Sequence, residues 1–220
     1  MSAERLARMR ATLDRRQPDL QVLLDQVHKP HNLSAILRTC DAVGVAEAHA
    51  VTAAGKGFDL HRHSSAGIGQ WVDVHTHEAV DEAVSALQAR DLKVYAAHLS
   101  ERAVDFRSVD YTRPCAVLLG AELHGVSAQG AELADEHVVI PMAGLGASLN
   151  VSVAGAVLLF EAQRQRAAAG AYDRPRLDAA TYRRKLFEWM QPRIARYCRE
   201  RGLAYPQLDE EGHVSGGLPQ

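Results

Sequence analysis

The stretch Ile140-Pro-Met-Ala-Gly-Leu-Gly-Ala-Ser-Leu-Asn-Val-Ser-Val-Ala154 decides more of the fold than any other segment. An apolar run over residues 137–140 meets a proline and bends at Gly144 and Gly146. It then passes a small polar cluster of Ser148, Asn150 and Ser152 and becomes a helix over about 149–168. Glycines let backbone approach a small molecule closely, and Ser or Asn at a helix start sets side-chain oxygens beside backbone N–H groups that have no helical partner. The segment is therefore either a ligand loop or a tight strand-to-helix turn with its cap.

Working outward, apolar runs and helical patterns alternate. Strands are expected near 20–27, 47–52, 71–75, 93–97, 115–120 and 137–140. Helices are expected from about 32 to 43, over 78–90 and over 128–135. Runs such as Ala116-Val-Leu-Leu119 suit strands buried on both faces, so the class is α/β with a parallel sheet covered by helices. Ligands of such sheets bind beyond the carboxyl ends of the strands, where each polar loop of this chain falls. Outside the sheet, a basic helix fills 1–19, the α/β domain 20–168 and a basic helical extension 169–201, with one helix over about 179–201. The tail 202–220, rich in Gly and without periodicity, reads as disordered.

At 220 residues, 47% hydrophobic and 24% charged, the chain has the make-up of a soluble globular protein. It shows no apolar run of membrane-spanning length, and a charged rather than apolar start, so a cytoplasmic location without membrane contact is expected. Cys40, Cys115 and Cys198 are odd in number and far apart, which speaks against a disulfide framework or a thiolate zinc site. The net charge of −2 divides unevenly. Residues 1–20 carry five bases against three acids and 160–201 eleven against five. Residues 21–159 carry nine against sixteen, and 202–220 three acids alone. Basic ends around an acidic centre fit ends that meet a polyanion, or equally Arg-rich amphipathic helices that are merely solvated.

Two further loops stand out beside the first: His28-Lys-Pro-His-Asn-Leu-Ser-Ala-Ile-Leu-Arg38 and Leu118-Leu-Gly-Ala-Glu-Leu-His-Gly-Val-Ser127. Asn32 can cap a helix, and Arg38 follows nearly two turns later as either a surface ion-pair partner or a cation for a phosphate. Glu122, at once after the strand-ending Gly120, is either a helix-start acid or an acceptor for a ligand hydroxyl.

In this order, Asn32 to Arg38, then Gly-Ala-Glu-x-x-Gly-Val-Ser, then Ile-Pro-Met-x-Gly-x-x-x-Ser-Leu-Asn-Val-Ser-Val-Ala resemble the three motifs of the SpoU branch of the SPOUT RNA methyltransferases. His28 to Val45 and Phe160-Glu-Ala-Gln-Arg-Gln-Arg166 are similar to its TrmH group, which methylates the ribose 2′-oxygen of the D-loop guanosine at tRNA position 18. The likeness runs from residue 3 to about 190, and the stretch after about Arg193 reads as an extension. The resemblance implies a deep trefoil knot, an obligate homodimer, S-adenosyl-L-methionine as cofactor and tRNA as partner. It implies Asn32, Arg38, Ser148 and Asn150 as catalytic-site residues, and Ala97, Gly120, Glu122, Ile140, Met142 and Leu149 around the cofactor. Arg5, Arg8, Arg16, His31, Arg164, Arg166 and Arg174 are implied for RNA. Methyl transfer to a ribose hydroxyl requires two aligned reactants and removal of one proton, and no metal.

The alternatives are the same reaction on ribosomal RNA and a catalytically silent RNA-binding module. The short segment before the first strand counts against the rRNA form with a separate N-terminal domain, and the full set of motif residues against the silent module. His61-x-His63 and His75-x-His77 each place two imidazoles on one strand face but lack a third ligand. Gly144-x-Gly146 lacks the third glycine of a dinucleotide fingerprint. Residues 54–69 depart most from the family pattern.

Overall fold

A computed structural model describes residues 2–52 and 71–215. His61 and His63, and the divergent stretch 54–69, lie outside the described residues. The chain forms two compact units, 17–171 and a second made of 1–16 with 172–220.

Among the described residues the larger unit is built on a seven-stranded sheet in which every pairing is parallel. Its strands are β1 (Leu20–Asp25), β2 (Glu47–Val51), β3 (Asp73–His77), β4 (Lys93–Ala97), β5 (Val104–Asp105), β6 (Cys115–Gly120) and β7 (Glu136–Val139), in the order β3-β2-β1-β6-β4-β7-β5. The central strands β1 and β6 are buried along their whole length. Leu20, Val22 and Leu24 point into a core shared with Ile36, Leu37, Leu158 and Leu159. Leu23 points the other way, towards Val80, Val84 and Leu87. This two-sided burial is what the continuous apolar runs require. Among the described residues the α-helices of this unit are α2 (Pro30–Val43), α3 (Val80–Gln88), α4 (Ala128–Leu133) and α5 (Val151–Ala168). Pro30 opens α2, and Gly44, at φ 86°, closes it in the left-handed conformation.

Expected elements are present with shifted ends. The strand read at 71–75 lies two residues later. The two-residue β5 was not expected, because two residues carry no periodicity. The unit begins at Gln17 because its backbone N–H donates to Gly44 O and its amide Nε2 to Ala171 O.

At the β2–β3 edge a polar cluster replaces apolar packing. Gln21 Nε2 donates to Pro18 O (3.0 Å) and Glu47 Oε2 (3.4 Å), which fixes its Oε1 as the acceptor facing His49 Nε2 at 2.9 Å. His49 therefore carries its proton on Nε2, and its Nδ1 accepts from His77 Nε2 at 2.9 Å. His75 and Arg90 both lie against Glu47, and His77 Nδ1 is 3.6 Å from Glu82. Among the described residues no group of three or more His, Cys, Asp or Glu is arranged to hold a metal ion.

The smaller unit joins α1 (Ala3–Leu13) to α6 (Ala179–Met190), α7 (Pro192–Arg201) and a hairpin of β8 (Gln207–Leu208) and β9 (Val214–Ser215). Leu6, Met9 and Leu13 form the buried stripe of α1. Tyr182 Oη donates to Asp14 Oδ1 at 3.0 Å. Two expectations are corrected here. The single helix over 179–201 is broken at Gln191, because Pro192 has no N–H to continue the ladder. The tail read as disordered from 202 is placed as far as Ser215. There the Asp209 carboxylate accepts from the N–H groups of Glu211 and His213, and Gly212, at φ 80°, is buried against Met190.

Candidate functional site

Strands β4, β6 and β7 lie side by side, and their carboxyl ends deliver three loops to one place. After β6 the chain turns back on itself through a bridge between Ala121 and Gly125. A Cβ on Gly120 would lie 1.9–2.1 Å from backbone atoms of Gly125 and Val126. Glycine is thus demanded there by the chain's own turn rather than by a ligand. At Gly144 and Gly146 an added Cβ would meet nothing within 4 Å. After β7 the loop ends at Asn150, whose Oδ1 accepts from Ser152 N (2.8 Å) and Ser152 Oγ (2.6 Å), capping α5.

The loops enclose a cavity of about 540 Å³. Ala97, Gly120, Glu122, Ile140, Met142 and Leu149, the six residues expected around a cofactor, all line it, as do Ser148 and Asn150. A hydrogen-bonded chain crosses its edge. Asn150 Nδ2 donates to Asn32 Oδ1 at 3.2 Å, and Asn32 Nδ2 donates to Glu122 Oε1 at 2.7 Å. Asn32 is buried, so residues 118 and 90 positions away in sequence meet through one amide. Burial pushes the Glu122 carboxyl up. The hydrogen bond from Asn32, those from the backbone N–H groups of Glu122 and Lys29, and the Lys29 charge outweigh it and leave the pKa below the ordinary value. Glu122 is therefore an anion at neutral pH, an acceptor for ligand hydroxyls or a partner for a cation.

Arg38 does not join this group. It is exposed on α2, makes no hydrogen bond or ion pair among the described residues, and is not part of the cavity lining. Six residues of helix separate it from Asn32, about 9 Å along the axis. His31, Arg5, Arg8 and Arg174 are exposed. Arg164 is exposed too, but holds Glu161 through two bonds of 2.7 and 2.8 Å. Two of the residues expected to meet RNA are corrected. Arg166 is fully buried and donates to Tyr111 O, Asp19 O, Asp19 Oδ1, Gln17 Oε1 and Arg113 O, so it pins the end of α5 to the sheet. Arg16 is fully buried, with its guanidinium 5.2 Å from the Trp189 ring centroid. Neither presents its charge to solvent.

Sequence reasoning missed Lys29, His98, Leu99 and Leu123 among the lining residues. Each directly follows a strand end or flanks a motif residue, and extending the strand-end rule by two positions would have found His98 and Leu99. His98 also packs edge-on against His137, with centroids 5.0 Å apart, and burial, then the nearby His137 and Arg102, lowers its pKa.

The SpoU rRNA Methylase family matches residues 19–160, and its C-terminal region, described as SpoU, rRNA methylase, C-terminal, matches 164–216. The chain belongs to the SpoU rRNA Methylase family. A SpoU relative from Thermus thermophilus, named tRNA (guanosine(18)-2'-O)-methyltransferase, is 57% identical over 187 residues, covering 85% of this chain and 96% of the relative. The crystal structure of the TrmH/SpoU tRNA modifying enzyme of A. aeolicus aligns with a TM-score of 0.79 at 42% identity, covering 84% of this chain and 94% of that one. An AdoMet-bound rRNA methyltransferase from Sinorhizobium meliloti aligns with a TM-score of 0.60 at 30% identity, covering 70% of this chain and 59% of that one. The C-terminal SpoU match reaches residue 216, so the stretch after Arg193 is shared with the family rather than an extension beyond it.

Proposed function

We propose that this chain is a tRNA 2′-O-methyltransferase that moves a methyl group from S-adenosyl-L-methionine to the ribose of guanosine 18 in the D-loop. The observation that carries the reading is the hydrogen-bonded Asn150–Asn32–Glu122 chain at the rim of the strand-end cavity, in a SpoU protein 57% identical to a tRNA (guanosine(18)-2'-O)-methyltransferase. The cavity fits the cofactor: its volume is in the range of small-molecule sites, with apolar walls from Leu119, Val138 and Leu158 and an anionic Glu122 at one side. When bound, S-adenosyl-L-methionine supplies an electrophilic methyl group on a sulfonium.

The protein's own residues bind and orient. Backbone groups at Gly120, Ile140 and Leu149 offer donors and acceptors at the strand ends, while Ala97 and Met142 add apolar contact. Glu122, fixed by Asn32, sets charge at the cavity rim, and Asn150 with Ser148 shapes the side from which the ribose approaches. Arg38 is assigned to the substrate, as the cation that meets a phosphate and steadies the 2′-hydroxyl. Its charge is the property used, and the 2′-hydroxyl proton released as the methyl group arrives passes to the substrate phosphate or to water.

The reading includes a trefoil knot formed by the chain from 140 to 168 as it returns to pack α5 on α2 and β6, and a homodimer. Support for the dimer is the exposed apolar surface of α5, with Val153 and Phe160 each about half accessible. A cytoplasmic location agrees with the buried cysteines Cys40, Cys115 and Cys198, none of which forms a disulfide among the described residues. The ribosomal RNA alternative has weaker support, since a 23S rRNA (guanosine-2'-O-)-methyltransferase from Ralstonia nicotianae is 40% identical over 154 residues and covers 68% of this chain, against 57% over 187 residues and 85% for the tRNA relative. Purified protein given labelled cofactor and total cellular RNA is expected to label the tRNA fraction. Label confined to ribosomal RNA overturns the reading.

A further inference from the structure

The basic end of the chain is not uniformly available to a partner. In the smaller unit Arg16 and Lys185 are buried, Arg184 pairs with Glu188, and Arg199 is held by Glu188 and the Tyr205 hydroxyl. These cations serve the unit's own packing. Helix α7, Pro-Arg-Ile-Ala-Arg-Tyr-Cys-Arg-Glu-Arg, carries four arginines and one acid in ten residues. Its Ala195 and Cys198 face inward. Arg199 and Arg201 stand in the last turn, where cations suit the helix dipole.

Arg193 and Arg196 stand in the first half of α7, which has no acidic residue in its first turn. Positive charge there opposes the dipole. Both are exposed, and neither makes a hydrogen bond or ion pair among the described residues. Between them and Arg201 lies Tyr197, 37% exposed, with the Arg201 guanidinium 4.1 Å from its ring centroid. Residues 193, 196, 197 and 201 share one side of the helix by their three- and four-residue spacing. The helix thus presents two uncompensated guanidinium groups beside an aromatic ring, on the side opposite its apolar contacts. Planar guanidinium forks match phosphate oxygens, and a partly exposed ring gives a base or ribose a surface to stack on.

We propose that this face of α7 is a docking site for the sugar–phosphate backbone of tRNA, with Arg193 and Arg196 on phosphates and Tyr197 as the stacking element. The proposal rests on the tRNA methyltransferase reading and goes beyond it, because it assigns RNA binding to a helix separate from the methyl-transfer cavity and from the residues the motifs imply.

The test is equilibrium binding of the full-length protein to a tRNA transcript over a series of salt concentrations, beside methylation of the same transcript. Each phosphate contact contributes about 0.9 to the slope of log affinity against log salt. Arg193→Gln with Arg196→Gln is expected to flatten that slope by nearly two units and to weaken binding by some tens of fold at about 0.1 M salt. Unchanged thermal melting and S-adenosyl-L-methionine affinity would show that the fold and cavity are intact. Tyr197→Ala should weaken binding without changing the slope, and Tyr197→Phe should restore it. A control pair, Arg90→Gln with Arg107→Gln, removes the same charge from the larger unit and should leave the slope close to wild type. If the α7 double variant keeps the full slope, or the control pair lowers it equally, the docking site is refuted while the methyltransferase reading stands. If the wild-type protein neither binds nor methylates tRNA, that reading fails and the docking site with it.

Discussion

The His49 cluster makes stability fall with acid in a calculable way. His49 is 5% exposed, and its pKa is lowered from 6.5 to about 4, first by burial and then by the charges of His75 and His77. As pH falls through 6.5 the unfolded chain takes up a proton that the native state refuses until about pH 4, so stability drains away between those values. At pH 5 proton uptake favours the unfolded chain by about 1.5 powers of ten, or about 2 kcal/mol. Urea unfolding at pH 7 and pH 5 measures this for the wild type and for His49→Gln, which retains a donor towards Gln21 but cannot be charged. The wild type should lose about 2 kcal/mol more than the variant over this interval. Equal losses in the two proteins would refute the claim that His49 is held neutral by this cluster.

Three other perturbations probe the site. Asn32→Ala leaves Glu122 and Asn150 without their shared amide. It should weaken S-adenosyl-L-methionine binding by about 1.5–3 kcal/mol, as read by titration calorimetry, and an unchanged affinity would remove Asn32 from the cavity's organisation. Gly120→Ala forces a methyl group into the Gly125–Val126 backbone. It should cost at least about 3 kcal/mol, seen as a fall of roughly 10 °C in thermal midpoint, whereas a wild-type melt would show that the turn gives way freely. Arg38→Ala removes an exposed side chain from a helix anchored by Ile36 and Leu37. It should leave melting and cofactor affinity unchanged and abolish most methyl transfer, and near-normal turnover would discard its assigned role.

The sheet was legible because its central strands are continuous apolar runs and because helical patterns alternate with them. The cavity was legible for the same reason: parallel strands put their ends together, so motif loops distant in sequence had to converge. Burial of cations was not. Arg166 and Arg16 look like any exposed arginines until five acceptors from Gln17, Asp19, Tyr111 and Arg113 surround the first, and Trp189 lies beneath the second. The histidine cluster needs the β2–β3 register, which pairs His49 with His75 and brings His77 within reach, and no local pattern specifies that register. The tail hairpin is held by one Asp209 carboxylate and two-residue strands, too short for periodicity. The break at Pro192 was readable from the proline itself.

The central claim is that the Asn32–Glu122 cavity serves methyl transfer to one ribose oxygen of tRNA. Its most direct test is to give the purified protein labelled S-adenosyl-L-methionine and two otherwise identical tRNAs, one with guanosine and one with 2′-deoxyguanosine at position 18, and to map the product by nuclease digestion and mass spectrometry. The protein is expected to form a single 2′-O-methylguanosine at position 18 in the first tRNA and to leave the second unmethylated. Methyl transfer to the deoxy tRNA, or a product at another nucleotide, would contradict the central claim.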